Sequence, residues 1–399
     1  MNISSQWRQW AFAALAAWSA QAMAQTETSV KVGVIGPFTG PSSDFGIPML
    51  NGLKLAVDEI NAVGGYLGRP LVLVVKDDKG NPDEGLKGAQ ELAAEKVVAT
   101  IGYCNTGVGL KGVEVFQTQK IPLIIPCATG TPLTAKYPAA ESYVFRTSAR
   151  DAIQAPFIVG DIVRRGWKKV AIFADATGYG EAGLQDVQAA LKAQGLQAVY
   201  VARFALGVKD LADALQKARD AGADVVLSYT VGPENAVIAN GIAQLRWKVT
   251  QVGAWPLSFP FFIQGAKAAA EGALMAQTFI AEPSNERRAS FLSAYARKYK
   301  QPIAVPMAAA QAYDTTYLLT YALFGIRDGR LTGPAVKNAL ENIQRTYYGV
   351  VATYEKPFSA SDKDAITQNM LVMGKVRNGL VTFAYPEDAK RNLMVQRKQ

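Results

Sequence analysis

The feature that most constrains this chain is a regular alternation of short, continuously apolar runs with longer amphipathic segments. Residues 30–35, 71–75 and 97–102 read as strands, with helices between them that end at Ile60 and Lys96. In the first of these helices Leu50, Leu53, Val57 and Ile60 recur at helical spacing, one apolar stripe for packing on a sheet. Runs such as Leu71-Val72-Leu73-Val74-Val75 have no polar face. Strands covered by helices on both sides look like this, so the expectation is an α/β fold built on parallel sheet.

The same grammar restarts after Phe145-Arg146-Thr147, with a helix through Arg165, a helix over 183–194, and strands over 169–174, 198–203, 225–228 and 252–254. A second lobe therefore begins there. A strand over 272–279 follows, then helices over 285–299 and 307–326, then two β-rich units at 348–354 and 370–383. The latter turns at Asn378-Gly379, a favoured hairpin dipeptide. This tail is too small for an independent domain and is expected to return to the two lobes.

Composition narrows the function. Hydrophobic residues make up 49% and charged residues 19%, as in globular domains. With no histidine among 399 residues, Ser-His-Asp and Cys-His catalysis and His-ligated metals are all excluded, and no catalytic residue and no metal site are expected. The balance of 42 basic against 33 acidic residues gives +9, but the basic residues are scattered, with only pairs such as Arg164-Arg165, Lys168-Lys169 and Arg287-Arg288. A solvated mixed surface explains that pattern, and no nucleic-acid partner is expected.

Arg8, an apolar stretch over 10–20 and Ala22-Met23-Ala24 have the order of a secretory signal peptide over 1–24, cut before Gln25; a buried N-terminal helix is the alternative. No later segment approaches the roughly 18 apolar residues of a membrane span, so membrane insertion is not expected. Cys104 and Cys127 each follow an expected strand (97–102 and 122–126), side by side at one sheet edge if those strands are neighbours. In an oxidising compartment a disulfide between them is as acceptable as two buried thiols.

Gly178-Tyr179-Gly180-Glu181-Ala182-Gly183 matches the dinucleotide fingerprint G-x-G-x-x-G. Three residues separate it from the preceding strand, however, and the next strand ends at Val201-Ala202-Arg203 without an acid for a ribose, so no cofactor is expected. The loops after the first, third and fourth strands carry more information. They are 36–46, 103–107 and 127–132, rich in small, polar and aromatic residues, and they lead into helix N-termini that favour an anion. Thr106 and Thr129 add hydroxyl donors.

These loops, with Asn51-Gly52, Asp58-Glu59-Ile60-Asn61, Gly64-Gly65, Asp77-Asp78, Phe145-Arg146-Thr147, Tyr179-Gly180-Glu181 and Tyr313-Asp314, resemble the branched-chain amino-acid (Leu/Ile/Val) binding proteins. Those are periplasmic solute receptors of ABC importers with the type I periplasmic-binding fold, and the likeness runs in order along almost the whole chain beyond residue 24. It implies two doubly wound parallel-sheet lobes joined by three hinge crossovers, near 146–148, 278–281 and 364–369. The lobes would be 25–146 with 279–364, and 147–278 with 365–399. It implies a non-enzymatic, monomeric, periplasmic protein that encloses a small carboxylate and presents it to a membrane permease and its ATPase subunits. An exported α/β enzyme and a ligand sensor of the same fold are the alternatives.

By the same resemblance the carboxylate is held by Asn105, Thr106, Ala128 and Thr129, Phe45 forms an aromatic wall, and Tyr179 and Tyr229 belong to the other lobe. One position departs from the family: where it has a glutamate for the ligand's ammonium group, this chain has Trp255. Either another acid, Asp314 or Glu234, takes that role, or the ligand is an aromatic or aliphatic acid without an amine.

Overall fold

The computed structural model describes residues 28–391 and 397–398; the expected leader lies outside the described residues. The first sheet contains β1 (Val30–Gly36), β2 (Leu71–Asp77), β3 (Ala99–Gly102), β4 (Leu123–Ile125) and β5 (Val144–Arg146). Its order is β2-β1-β3-β4-β5 and every pairing is parallel. The helix Ser43–Ala62 buries Leu53, Val57 and Ile60, three members of the apolar stripe. The direction of winding reverses between β1 and β3, so the loops after these two strands part and leave a crevice at their carboxyl ends.

One expectation needs correction here. The run 71–75 reads as a strand buried on both faces, yet β2 is an edge strand with β1 as its one neighbour, and Val72 and Val75 are 43% and 39% exposed. Apolar character alone does not separate an edge from an interior position.

The second sheet contains β6 (Val170–Asp175), β7 (Ala198–Phe204), β8 (Val225–Tyr229), β9 (Thr250–Gly253) and β10 (Leu274–Gln277), all parallel. A short separate hairpin, β11 (Tyr347–Tyr348) with β12 (Thr353–Tyr354), precedes β13 (Val372–Arg377) and β14 (Leu380–Phe383). The last two extend the second sheet in antiparallel fashion, giving β14-β13-β10-β9-β8-β6-β7. The lobe is thus parallel with an antiparallel edge, because Asn378 (φ 51°) and Gly379 (φ 72°) form the tight turn that a two-residue hairpin requires. Among the described residues no helix is long and apolar enough to cross a membrane.

Helices after β10 return to the first sheet. Glu286–Tyr299 and Pro306–Leu323 pack on the helix Ser43–Ala62, with Asn51 donating to the Tyr295 hydroxyl (3.1 Å) and the Tyr299 hydroxyl donating to Asn51 O (2.8 Å). The chain therefore passes between the sheets after β5, after β10 and before β13.

Two of these passages are pinned together. Arg146 N donates to Lys363 O and Ala365 N to Arg146 O, a parallel bridge between residues distant in sequence. The Arg146 guanidinium, fully buried, donates through Nε to Asp364 Oδ1 (2.7 Å) and through Nη1 to the carbonyls of Thr129 (2.9 Å) and Gly130 (2.8 Å). Thr134 accepts from Nη2, and Arg150 reaches the second Asp364 oxygen at 3.2 Å. Burial alone would raise the Asp364 carboxyl, but the charges of Arg146 and Arg150 outweigh it and hold the group below its ordinary value. Replacing Asp364 by alanine leaves Arg146 buried without its counter-charge, and the expected cost is about 3–5 kcal/mol in guanidinium unfolding. The double variant Arg146→Met, Asp364→Leu is expected to recover much of that loss; a single-variant loss below about 1 kcal/mol would remove the pair from its structural role.

Candidate functional site

The carboxyl ends of the two sheets face each other across a cleft of about 470 Å³. From the first sheet come Ser42 and Phe45 after β1, Lys79 after β2, the 104–108 segment after β3 and Thr129 after β4. The second sheet supplies Thr177 to Tyr179 after β6, Leu206 after β7, Val231 after β8, and Trp255 and Phe259 after β9. Residues that follow strands of the two sheets touch across the cleft: the Phe45 and Phe259 rings lie 5.1 Å apart, and Thr131 donates to Asp186 at 2.7 Å.

At one end of the cleft two helices meet N-terminus to N-terminus. The helix Thr106–Thr118 begins at Asn105, whose side chain donates to Ser42 Oγ (3.1 Å) and does not cap the helix. Its first amides, 106–108, therefore have neither an intrahelical acceptor nor a side-chain cap. Opposite stands the helix Gly178–Ala193, capped by the Thr177 hydroxyl, which accepts from Tyr179 N (3.2 Å) and Gly180 N (3.4 Å). The two approach so closely that a Cβ on Gly178 would lie 3.0 Å from Gly107 Cα. Two positive helix ends at this distance disfavour each other, and an anion in the cleft beside both offsets the repulsion. Buried polar atoms without partners surround the place: Thr129 Oγ1, Asn105 Oδ1 and Tyr179 OH.

The glycines of the G-x-G-x-x-G run serve packing. A Cβ at Gly183 would sit 2.0 Å from the Tyr229 ring, and one at Gly180 would sit 2.1 Å from Asp175 O.

Of the expected site residues, Phe45, Asn105, Thr106, Thr129, Tyr179 and Trp255 line the cleft. Ala128 does not: its side chain is buried behind the loop, its amide donates to Tyr103 O (2.9 Å), and its carbonyl accepts from Ser148 Oγ (2.7 Å). Tyr229 is also displaced, to the layer behind Tyr179, with ring centroids 5.0 Å apart and its hydroxyl donating to Asp151 (2.7 Å). Neither acid considered for an ammonium group reaches the cleft wall. Asp314 accepts from the amides of Val350 and Val351 and from the Tyr347 hydroxyl, and Glu234 accepts from Gly207 N. Cys104 and Cys127 are not bridged; both are free and buried, and Cys104 Sγ lies 3.5 Å from Met49 Sδ. Burial, then the neighbouring Cys127, pushes the Cys104 thiol well above its ordinary value.

Sequence reasoning missed Lys79, Leu206 and Val231. Lys79 occupies a left-handed turn position (φ 53°) beside Asp77-Asp78, the one local signal that could have drawn attention to it.

Asp151 lies beneath the cleft floor. It is fully buried, Oδ1 accepts from Tyr229 and from Gln154 Nε2 (3.1 Å), and Oδ2 has no partner. Burial pushes this carboxyl up to about 7, against the hydrogen bond from the Tyr229 hydroxyl and the charge of Arg146. Burial likewise raises Asp78 to about 7.

The sequence profile of the periplasmic binding proteins matches residues 29–379, and the chain belongs to that family. Among curated relatives, a Leu/Ile/Val-binding protein homolog 3 of Brucella melitensis is 35% identical over 54% of this chain, and the match spans 57% of that relative's length. The Leu/Ile/Val-binding protein BraC3 of Rhizobium johnstonii is 30% identical over 65% of this chain and 71% of its own. Among solved structures, the branched-chain amino acid transporter substrate binding protein LivJ of Streptococcus pneumoniae, in complex with isoleucine, superposes with a TM-score of 0.76 at 25% identity over 88% of this chain and 97% of that one. A solute binding protein of an ABC transporter from R. palustris, in complex with benzoate, has a TM-score of 0.77 over 89% and 95% of the two chains, and at 19% identity shares the fold.

Two outcomes follow from the site's burial. A chromogenic aromatic disulfide is expected to label no thiol in the native protein and two on unfolding; rapid native labelling would contradict the buried thiol pair. Asp151 and Asp78 have folded values above the roughly 3.9 of an unfolded aspartate, so the folded state keeps protons that the unfolded state releases. Their contribution favours the fold at low pH and is lost as pH rises from about 4 through 7. The melting temperature should therefore fall between pH 5 and pH 8, and fall less in Asp151→Asn; equal slopes would show that Asp151 does not titrate there.

Proposed function

We propose that this chain is the solute-binding component of an ABC importer in the periplasm, capturing a small carboxylate with an apolar, ring-sized body and no ammonium group. The observation that carries the reading is the charge of the cleft: among the described residues its wall holds one cation, Lys79, and no Asp or Glu. An ammonium group there would be desolvated without a counter-charge. A carboxylate, by contrast, finds the uncapped amides of 106–108 and the hydroxyl of Thr129, while Phe45, Trp255 and Phe259 receive the apolar end. The R. palustris structure holding benzoate supports this choice of ligand; the Leu/Ile/Val names of the curated relatives speak for an amino acid instead.

In this reading the two sheets with their helices are lobes, 25–146 with 279–364 and 147–278 with 365–399, hinged at the passages between them. The ligand bridges both and shifts an open–closed equilibrium towards the closed form that a permease accepts. Turnover of the ligand forms no part of the role.

Calorimetry on benzoate, phenylacetate, 4-methylpentanoate, leucine and phenylalanine decides the ligand class. At least one amine-free acid should bind in the micromolar range or tighter, with leucine at least a hundredfold weaker. Thr129→Ala should weaken the bound acid roughly tenfold, the loss of one charge-assisted hydrogen bond of about 1.5 kcal/mol. Tight leucine binding with no response to any amine-free acid would overturn the reading.

A further inference from the structure

A second cavity, of about 540 Å³, lies on the far side of the turn Trp255–Ser258 from the cleft. Trp255 and Pro256 face the cleft whereas Ser258 faces the second cavity, so one turn of 3-10 helix is the partition. The other walls come from the chain leaving β10, the helix Glu286–Tyr299, the 301–306 segment and the turn between β13 and β14. Elements of both lobes thus enclose it.

The walls are mainly apolar, with Phe279, Ile280, Leu292, Ile303 and Val381 among them. Their polar groups are for the most part already engaged. Ser258 donates to Trp255 O (2.7 Å), the Tyr295 hydroxyl accepts from Asn51 (3.1 Å), and Thr382 donates to Lys375 O (3.3 Å). Gln277 is different: it is 2% exposed, it lines the cavity, and its Nε2 is buried with no hydrogen-bond partner. A buried amide donor left unpaired is costly unless something in the space beside it accepts its hydrogen. The charge is also opposite to that of the cleft. Glu282 lines this cavity and no Lys or Arg does, so an anion is disfavoured here.

We propose that this cavity is a second binding site, for an uncharged, largely apolar small molecule whose single carbonyl-type acceptor takes a hydrogen from Gln277 Nε2. The site stands apart from the cleft in place and in chemistry. It holds whichever ligand the cleft selects, so it stands or falls independently of the function proposed above. An occupant touches both lobes and the back of the turn that carries Trp255, and by linkage any change it makes to cleft affinity is returned in equal measure.

The probe for the test is the uncharged ketone 6-propionyl-2-(dimethylamino)naphthalene, whose emission shifts to the blue in apolar surroundings. With the full-length protein it should saturate at one equivalent with a blue shift. Ala296 lies exposed on the cavity wall, so Ala296→Trp fills the space without replacing core. That variant should weaken the probe at least tenfold. Gln277→Leu keeps the bulk of the side chain and removes the donor, and a several-fold loss is expected. Thr129→Ala should leave the probe's affinity unchanged, and saturating benzoate should leave one equivalent of probe bound. Absence of saturable binding, full affinity in Ala296→Trp, or competitive displacement by benzoate would each overturn the proposal.

Discussion

The Arg146 guanidinium is the point on which the rest of the structure depends. Its charge is buried beside Asp364, and its donors are spent on three different things at once: a passage between the sheets, the carbonyls of Thr129 and Gly130, and the Thr134 hydroxyl. A buried cation is tolerated only when paired and fully hydrogen-bonded, so removing one partner disturbs all of them. The loop that presents Thr129 to the cleft is in this way tied to the same side chain that joins β5 to the 363–365 segment. Site geometry and the connection between lobes are set by one set of contacts.

From that anchor the chemistry of the cleft follows with few further elements. Parallel strands must be joined by helices, and each helix starts at the carboxyl end of the preceding strand, so its N-terminal amides point into the space between the sheets. Two such ends carry their own caps, as Asn81 and Thr177 accept from amides of the first turn. The end at Thr106 has no cap, because Asn105 is bonded to Ser42 instead, and its first three residues line the cleft. An uncapped end facing an aromatic enclosure favours an anion over a cation, and a cleft wall without Asp or Glu among the described residues points the same way.

Much of this was legible in the chain. Alternation of apolar runs and amphipathic stretches is enough to place β1 to β4, β6 to β10 and the carboxyl-edge loops, whereas β5, three residues long, went unread; Asn378-Gly379 announces its hairpin. What was not legible has physical causes. Ala128 and Thr129 are neighbours, but the amide and carbonyl of Ala128 are taken by Tyr103 and Ser148, and only Thr129 lines the cleft. Tyr179, in the first turn of a helix, and Tyr229, at the end of β8, are both buried aromatics, and Tyr229 packs against Gly183, a contact between residues far apart in sequence. Lys79, Leu206 and Val231 reach the cleft from turns whose direction depends on the assembled lobes. The edge position of β2 is likewise a property of strand order, which local composition does not encode.

The central claim is that the ligand's carboxylate rests on the uncapped amides at the start of the helix Thr106–Thr118. The most direct measurement is the amide proton and nitrogen shift of Gly107 and Val108 during titration with the acid that binds most tightly, compared with its primary amide. A large downfield movement of these two resonances with the acid, and little with the amide, is the predicted result. Saturation of the cleft aromatics by the acid while Gly107 and Val108 stay in place would contradict it.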